Sequence, residues 1–210
     1  MSPRVSSAYK AERRHAILEA ALDVFITKGY QLATIDDIAK ACSMSVGALY
    51  RYFPGKSDLL LTLISERLGR TPELFARLTQ GAGDPWDRLS RCLDLFTSAL
   101  RVRHPATGRL LLVTLAEAVQ DGEVRQALHT RYGALVTYLE AILEDGKAQG
   151  LFRQDVNAGA LAALLLATAD GVTVYWTTDT PNLDLRAMRA AMLAMVRTYL
   201  TEGVIINEKE

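Results

Sequence analysis

The sequence has few of the residues that build metal and redox sites. Its 210 residues include only two cysteines, Cys42 and Cys92, and three histidines, and none stands in a spacing that holds a metal ion or forms a redox pair. No nucleophile lies beside a base, and no glycine-rich phosphate loop is present. We therefore expect no enzyme activity, no metal and no cofactor. The cysteine usage favours a reduced, cytoplasmic setting.

Residues that favour β-strands are also scarce. Isoleucine and valine together number 21, against 61 leucines and alanines, and leucine and alanine are the better helix formers. Half of the residues are hydrophobic, which excludes disorder for most of the chain and allows a sizeable core. The composition therefore predicts an all-α fold.

The chain shows no pattern typical of a secretory signal, because no basic start is followed by an unbroken apolar stretch. One later segment, Ala158 to Trp176, is apolar except for Thr168, Asp170 and Thr173. A charge at the centre of a bilayer costs about 3 kcal/mol on insertion scales. Asp170 therefore favours a buried helix of a bundle, and we expect no membrane partner.

The most informative segment begins at Thr34. Thr34 and Asp37 form a capping pair at the start of one short helix, and Ser45 is placed to cap another. The two helices, each predicted to have about two turns, are separated only by a tight turn at Ser43 and therefore cross at a steep angle. This arrangement predicts a helix-turn-helix, which places its second helix in the major groove of DNA.

The rest of the chain continues with helical periodicity, broken near residues 81–85, 104–105, 121–122, 150–157 and 181–182. About nine helices are predicted in total. We expect a helix-turn-helix DNA-binding domain with an N-terminal arm at residues 1–55, and a helical regulatory and dimerisation domain at residues 56–210. A fourth helix, from Lys56 to about Gly69, would connect the two.

A longer pattern gives a resemblance to a known family. It runs through Gly29-Tyr30, Thr34-Ile-x-x-Ile-Ala-x-Ala and Ser45-x-Gly-x-Leu-Tyr-x-Tyr-Phe-Pro-x-Lys56. Over residues 11–62 it resembles the DNA-binding domain of the TetR (tetracycline-repressor-like) transcriptional regulators. The resemblance implies a homodimer that binds a palindromic operator in double-stranded DNA, as a repressor that a small-molecule effector of unknown identity releases.

The resemblance also assigns DNA contacts by position. Phosphate contacts fall on Thr34, Ser45, Tyr50 and Lys56, and the groove-facing side carries Val46, Gly47, Ala48 and Arg51. Hydroxyls and a lysine suit phosphate oxygens independently of the family. The predicted recognition helix has no Asn, Gln or Lys for bidentate contacts with bases. Specificity is therefore expected to depend on Arg51, methyl contacts, the N-terminal arm, DNA shape and the spacing of the half-sites.

The turn of the motif has Ser43 where many such motifs have glycine. If its φ is positive, the serine is strained, and Ser43→Gly is predicted to preserve or raise thermal stability.

Effector pockets are mostly apolar with a few polar groups, and the candidates for lining one are Phe96, Glu117, Tyr132, Asp170 and Trp176. A buried carboxylate such as that of Asp170 needs either a cationic ligand or a hydrogen-bond donor within the protein, and Glu117 has the same two alternatives. Small residues along the last two helices favour a four-helix dimer interface. The alternative function is a constitutive regulator whose body dimerises without binding a ligand.

Overall fold

The computed structural model describes residues 7–68, 77, 83–102, 106–178 and 184–202, and the side chains of residues 96–102, 106 and 107 lie outside this description. Within these ranges the chain is all-α, as predicted, with nine helices. They are α1 (Ser7–Lys28), α2 (Ile35–Ala41), α3 (Val46–Leu49), α4 (Lys56–Leu63), α5 (Pro85–Val102), α6 (Ala106–Ala118), α7 (Gly122–Ala148), α8 (Ala158–Thr177) and α9 (Leu185–Thr201). A π-helical turn, Ile64–Leu68, continues α4.

The chain forms two compact units. Unit 1 comprises residues 1–70 and 105–130, and unit 2 comprises residues 71–104 and 131–210. Unit 1 thus contains α1–α4, α6 and the first residues of α7. The predicted connector helix is shorter than expected as a regular α-helix, because its last turn widens at Ile64, and Gly69 lies outside the described residues.

In unit 1, α1 packs against α2, α4 and α6. Its apolar stripe is mostly buried, with Ile17, Ala21 and Phe25 fully inaccessible to solvent. Gly29 ends the helix with a φ of 78°, a conformation that glycine adopts without steric cost. The apolar pattern alone predicts a start near Ala11, but the helix begins one turn earlier, at Ser7, because residues 7–10 include neither glycine nor proline.

The core of unit 2 brings together leucine-rich faces of α5, α7, α8 and α9, including Leu89, Leu93, Leu135, Leu139, Ile142, Leu161, Leu165 and Leu200. Phe152 joins this core and lies so close to Gly146 of α7 that a Cβ atom there would be 2.1 Å from the Phe152 Cδ2 atom. Only glycine fits at this position without a shift of the aromatic ring.

Helix α8 is the apolar segment noted in the sequence. Asn157 caps it, as its sequence indicates, by accepting a hydrogen bond from the Ala160 amide at 2.9 Å. By length and composition α8 is the one described helix that could cross a membrane, but one such helix is weak evidence, since a core helix passes the same test. One face of α8 is buried in the core of unit 2, whereas Leu164 is 62 % exposed.

Candidate nucleic-acid interface and regulatory region

The N-terminal end of α2 is held by the predicted capping box. The Thr34 Oγ1 atom accepts a hydrogen bond from the Asp37 amide at 3.1 Å, and the Asp37 carboxylate accepts one from the Thr34 amide at 3.1 Å. Lys28 adds an ion pair to Asp37 at 2.5 Å. The Lys28 and Thr34 donors lower the pKa of Asp37 to about 2.

A third hydrogen bond uses the hydroxyl proton of Thr34, which the Oγ1 atom donates to the Asp37 carboxylate at 2.8 Å. A phosphate oxygen accepts hydrogen bonds but does not donate them. The phosphate contact assigned to Thr34 stays a prediction, and it requires the hydroxyl proton to turn from Asp37 towards DNA.

The turn between α2 and α3 is a Schellman motif. The Met44 amide donates to the Ala39 carbonyl at 2.8 Å, and the Ser43 amide donates to the Lys40 carbonyl at 3.1 Å. This geometry needs a left-handed residue at its centre, and Ser43 has a φ of 53°. The condition for strain at Ser43 is therefore met.

The recognition helix α3 is shorter than the two turns predicted for it. Ser45 caps it as expected, accepting from the Ala48 amide at 3.2 Å, and Leu49 is fully buried. After Leu49 the chain tightens, because the Tyr52 amide donates to the carbonyl three residues earlier at 2.8 Å. Tyr50 and Arg51 therefore lie in the turn that follows α3 rather than within the α-helix itself.

Most of the residues assigned to DNA contacts are exposed in the structure: Thr34, Ser45, Gly47, Tyr50 and Arg51. Val46, Ala48 and Lys56 are half-buried. Half of the Tyr50 side chain is accessible, at 50 %. Tyr50 and Arg51 are thus accessible to a partner without rearrangement of the helical core.

Lys56 has partners within unit 1 that the sequence did not predict. Its Nζ atom donates to the carbonyl oxygens of Tyr30 at 2.8 Å, Gln31 at 3.3 Å and Ala33 at 3.1 Å. It also lies 4.4 Å from the centre of the Tyr30 ring. An ammonium group has three protons, so these carbonyls use all of them. A phosphate contact by Lys56 stays a prediction that requires at least one of these bonds to be exchanged.

Arg14 is a second residue of the motif region with an unexpected position. Its guanidinium carbon lies 4.2 Å from the centre of the Phe53 ring, and its Nη1 atom donates to the Tyr52 carbonyl at 3.4 Å. The arginine therefore ties α1 to the chain that follows α3. From the sequence alone, a basic residue in the N-terminal region is as consistent with phosphate binding as with a structural contact. Only the fold distinguishes these two roles for Arg14.

The candidates for an effector pocket are divided between the two units. Glu117 belongs to unit 1, is 6 % exposed, and accepts a hydrogen bond from the Gln31 amide at 2.6 Å. Tyr132, Asp170 and Trp176 belong to unit 2, and the side chain of Phe96 lies outside the described residues.

Within unit 2, the Tyr132 hydroxyl donates to the Asp170 carboxylate. Burial raises the pKa of Asp170, and the hydrogen bond from Tyr132 opposes that rise. Asp170 therefore has the intraprotein donor that was one of its two expected partners. Trp176 at the end of α8 is 39 % exposed.

Unit 2 also has an apolar groove between α8 and α9. Its volume is about 460 Å³, and its lining includes Leu164, Val172, Met188, Met192, Met195 and Tyr199. Met195 is 73 % exposed and Leu164 62 %. A contiguous exposed apolar surface of this kind is typical of an interaction site.

The capped α2, the left-handed turn and the short α3 define a helix-turn-helix on an all-helical scaffold, which is the architecture of a DNA-binding regulator. Residues 17–63 match the bacterial regulatory proteins of the tetR family, and residues 85–201 match the C-terminal domain of the BetI-type transcriptional repressors. The chain belongs to the TetR family of transcriptional regulators, as the sequence motif indicated.

Individual relatives agree with this assignment. The chain is 30 % identical over 205 residues to the HTH-type transcriptional regulator YfiR of Bacillus subtilis, covering 95 % of this chain and 98 % of that protein. It is 30 % identical over 150 residues to the HTH-type transcriptional repressor NicS of Pseudomonas putida, covering 71 % and 70 %. The solved structure of the fatty acid degradation regulator FadR from Bacillus halodurans superposes with a TM-score of 0.74 at 26 % identity, covering 88 % of this chain and 94 % of that one.

Proposed function

We propose that the protein is a homodimeric repressor that binds a palindromic operator and is released by a small-molecule effector. The observation that carries the proposal is the exposed helix-turn-helix surface at Tyr50 and Arg51, in a chain that also has an exposed apolar groove on unit 2. The match to BetI-type repressors and the similarity to the repressor NicS support repression rather than activation. As an intracellular DNA-binding regulator it would act in the cytoplasm.

The experiment that tests operator binding begins with selection of duplexes from a random-sequence library by the wild-type protein. Enrichment of a palindrome is the expected result, since a two-fold dimer reads two half-sites. A wild-type protein that enriches no palindrome at moderate salt would contradict the proposal. The selected duplex then serves as the probe for all variants.

Three variants separate the roles of the exposed recognition residues. Tyr50→Ala and Tyr50→Phe are both expected to weaken binding to all sequences alike if the hydroxyl contacts a phosphate, whereas only Tyr50→Ala weakens it if the ring packs. Arg51→Ala is expected to cost about 1–3 kcal/mol and relax the preference at one operator position if Arg51 reads a base. Binding by Tyr50→Ala that equals wild type would refute the assigned contact.

The groove between α8 and α9 is the proposed dimer interface. The groove is apolar, and Met195 in its lining is 73 % exposed in a single chain. A second copy of the chain would remove this apolar surface from water. Met195→Glu should yield monomers in analytical ultracentrifugation and weaken operator binding. Leu151→Glu is the matched control, because Leu151 is 45 % exposed in the same unit but outside the groove. A Met195→Glu variant that remains dimeric in analytical ultracentrifugation would exclude this interface.

Effector response is the part of the proposal that distinguishes it from a constitutive regulator. A bound ligand at about 100 times its Kd adds about 2.7 kcal/mol to the free energy of unfolding, so a thermal-shift screen of lipophilic cations, fatty acyl compounds and aromatics detects it. Tyr132 and Asp170 are proposed to line the site, and Asp170→Asn should remove the shift caused by a cation. A ligand that raises the melting temperature but leaves operator affinity unchanged would contradict the release mechanism. Release requires that the bound ligand lower the affinity for the operator, which is a coupling free energy between the two sites.

A further inference from the structure

Gln31 and Glu117 join two parts of unit 1 that are far apart in sequence. Gln31 lies in the connection between α1 and α2, and Glu117 lies in the last turn of α6. The Gln31 Nε2 atom donates to the Glu117 Oε2 atom at 2.6 Å across a separation of 86 residues. Within the described residues, Glu117 is the one charged side chain that is buried.

The position of Glu117 is unfavourable for stability. A carboxylate near the C-terminal end of a helix faces the negative end of the helix dipole, and burial adds a desolvation cost that one hydrogen bond only partly offsets. Replacement of a buried charged contact by an apolar pair of similar volume is often neutral or stabilising. What the hydrogen bond adds is a defined position of the α1–α2 connection on α6.

The same connection is held from its other side by α4. Lys56 at the start of α4 donates to three carbonyl oxygens of residues 30–33. Thr34 follows directly and caps α2, and α2 packs against the recognition helix α3. The connection is thus bound by one charged side chain from α4 and one from α6, immediately before the helix-turn-helix begins.

We propose that Glu117 is a positioning residue for DNA binding, which acts through Gln31 to hold α2, and the α3 turn packed on it, in the arrangement that binds the operator. This role rests on the operator binding proposed above. It replaces an effector contact as the function of the Glu117 carboxylate.

The test exchanges the two side chains. Gln31→Glu places two carboxylates in contact, and Gln31→Glu/Glu117→Gln restores one donor and one acceptor with the net charge of the wild type. With the selected operator duplex as probe, Gln31→Glu should bind about tenfold more weakly, the size expected for one lost charge-assisted contact. The double variant should return to within about threefold of wild type by the same reasoning.

Two further variants separate positioning from charge and from folding. Gln126→Glu makes the same charge change at an exposed site of α7 in unit 1 and should bind as wild type does. Gln31→Met removes the donor without adding charge, and decides the question if Gln31→Glu does not fold. Hydrogen exchange of the amides at residues 35–41 should quicken in each single Gln31 variant and slow again in the double variant.

The outcomes that overturn the proposal are specific. Equal operator affinity for wild type and Gln31→Met, with a lower melting temperature in the variant, would make the bond purely structural. A double variant that binds as weakly as Gln31→Glu would show that the exchanged pair does not act through this contact. A wild-type protein that selects no operator would instead contradict the proposed function itself.

Discussion

Ser43 offers a direct test of the geometry of the helix-turn-helix. It is the one non-glycine residue with a positive φ within the described residues, at 53°, and it occupies the left-handed position of the Schellman turn after α2. Ser43→Gly removes the Cβ atom from this conformation and leaves the two backbone hydrogen bonds of the turn in place. The substitution therefore isolates the steric cost of a side chain at this position.

The magnitude follows from two opposing effects. A side chain in the left-handed region costs about 1–2 kcal/mol, which Ser43→Gly removes. Glycine loses more conformational entropy on folding, by about 0.5–1 kcal/mol. The net change is a gain of about 0–1.5 kcal/mol, and for a chain of this length each kcal/mol corresponds to about 2–4 °C in melting temperature. We expect Ser43→Gly to melt between about 0 and 6 °C above wild type.

The assay is thermal unfolding followed by circular dichroism, at one protein concentration because association shifts the midpoint. Gly29→Ala is the matched control, since Gly29 has a φ of 78° and a Cβ atom there meets nothing within 4 Å. It should lose about 1 kcal/mol from the backbone conformation alone. A Ser43→Gly variant that melts clearly below wild type, or that shifts in the same direction as Gly29→Ala, would refute the reasoning.

Three further results are expected from the same assay. Gly146→Ala should destabilise the protein by about 1–3 kcal/mol through overpacking against Phe152, whereas Gly133→Ala in the same helix, with no atom within 4 Å of its Cβ, should be neutral or stabilising; equal effects would contradict the close contact. Lys56→Met should cost about 1–3 kcal/mol by leaving three carbonyl oxygens without their donor, and an unchanged midpoint would exclude that role. The pKa of Asp37 in the folded protein is about 2. The stabilisation by its carboxylate is therefore complete above the ordinary carboxyl pKa and is lost as pH falls from about 4 towards 2. Asp37→Asn should flatten this part of the dependence of melting temperature on pH, and a profile identical to wild type would contradict the role of the carboxylate.

Local patterns were predictable because they depend on neighbours in sequence. The caps at Thr34, Ser45 and Asn157 each need only a side-chain oxygen and an amide three residues later, and all three are present. The strain at Ser43 followed from the same local reasoning. The length of α3 was predicted wrongly, because the amides of Arg51 and Tyr52 bond to carbonyl oxygens three residues earlier and thus do not continue the α-helical pattern.

The candidate site divides in the same way. Exposure of Tyr50 and Arg51 agrees with what a DNA-binding motif requires. The partners of Lys56, Arg14 and Glu117 were not predictable, because each contacts a residue more than 20 positions away. A basic or acidic residue type alone does not distinguish a ligand contact from a buried structural bond.

The sequence by itself determined the class of this protein, which is an all-α chain with a capped helix-turn-helix near its N-terminus and a helical body. Helix periodicity, caps and the motif each depend only on the spacing of residues that are close in sequence. Only the tertiary structure decided which charged groups are available for binding. It joined Lys56 to the α1–α2 connection, Glu117 to Gln31 and Asp170 to Tyr132. Such pairings depend on how helices that are distant in sequence pack together, because a buried polar group must find its hydrogen-bond partner among the residues that packing brings close.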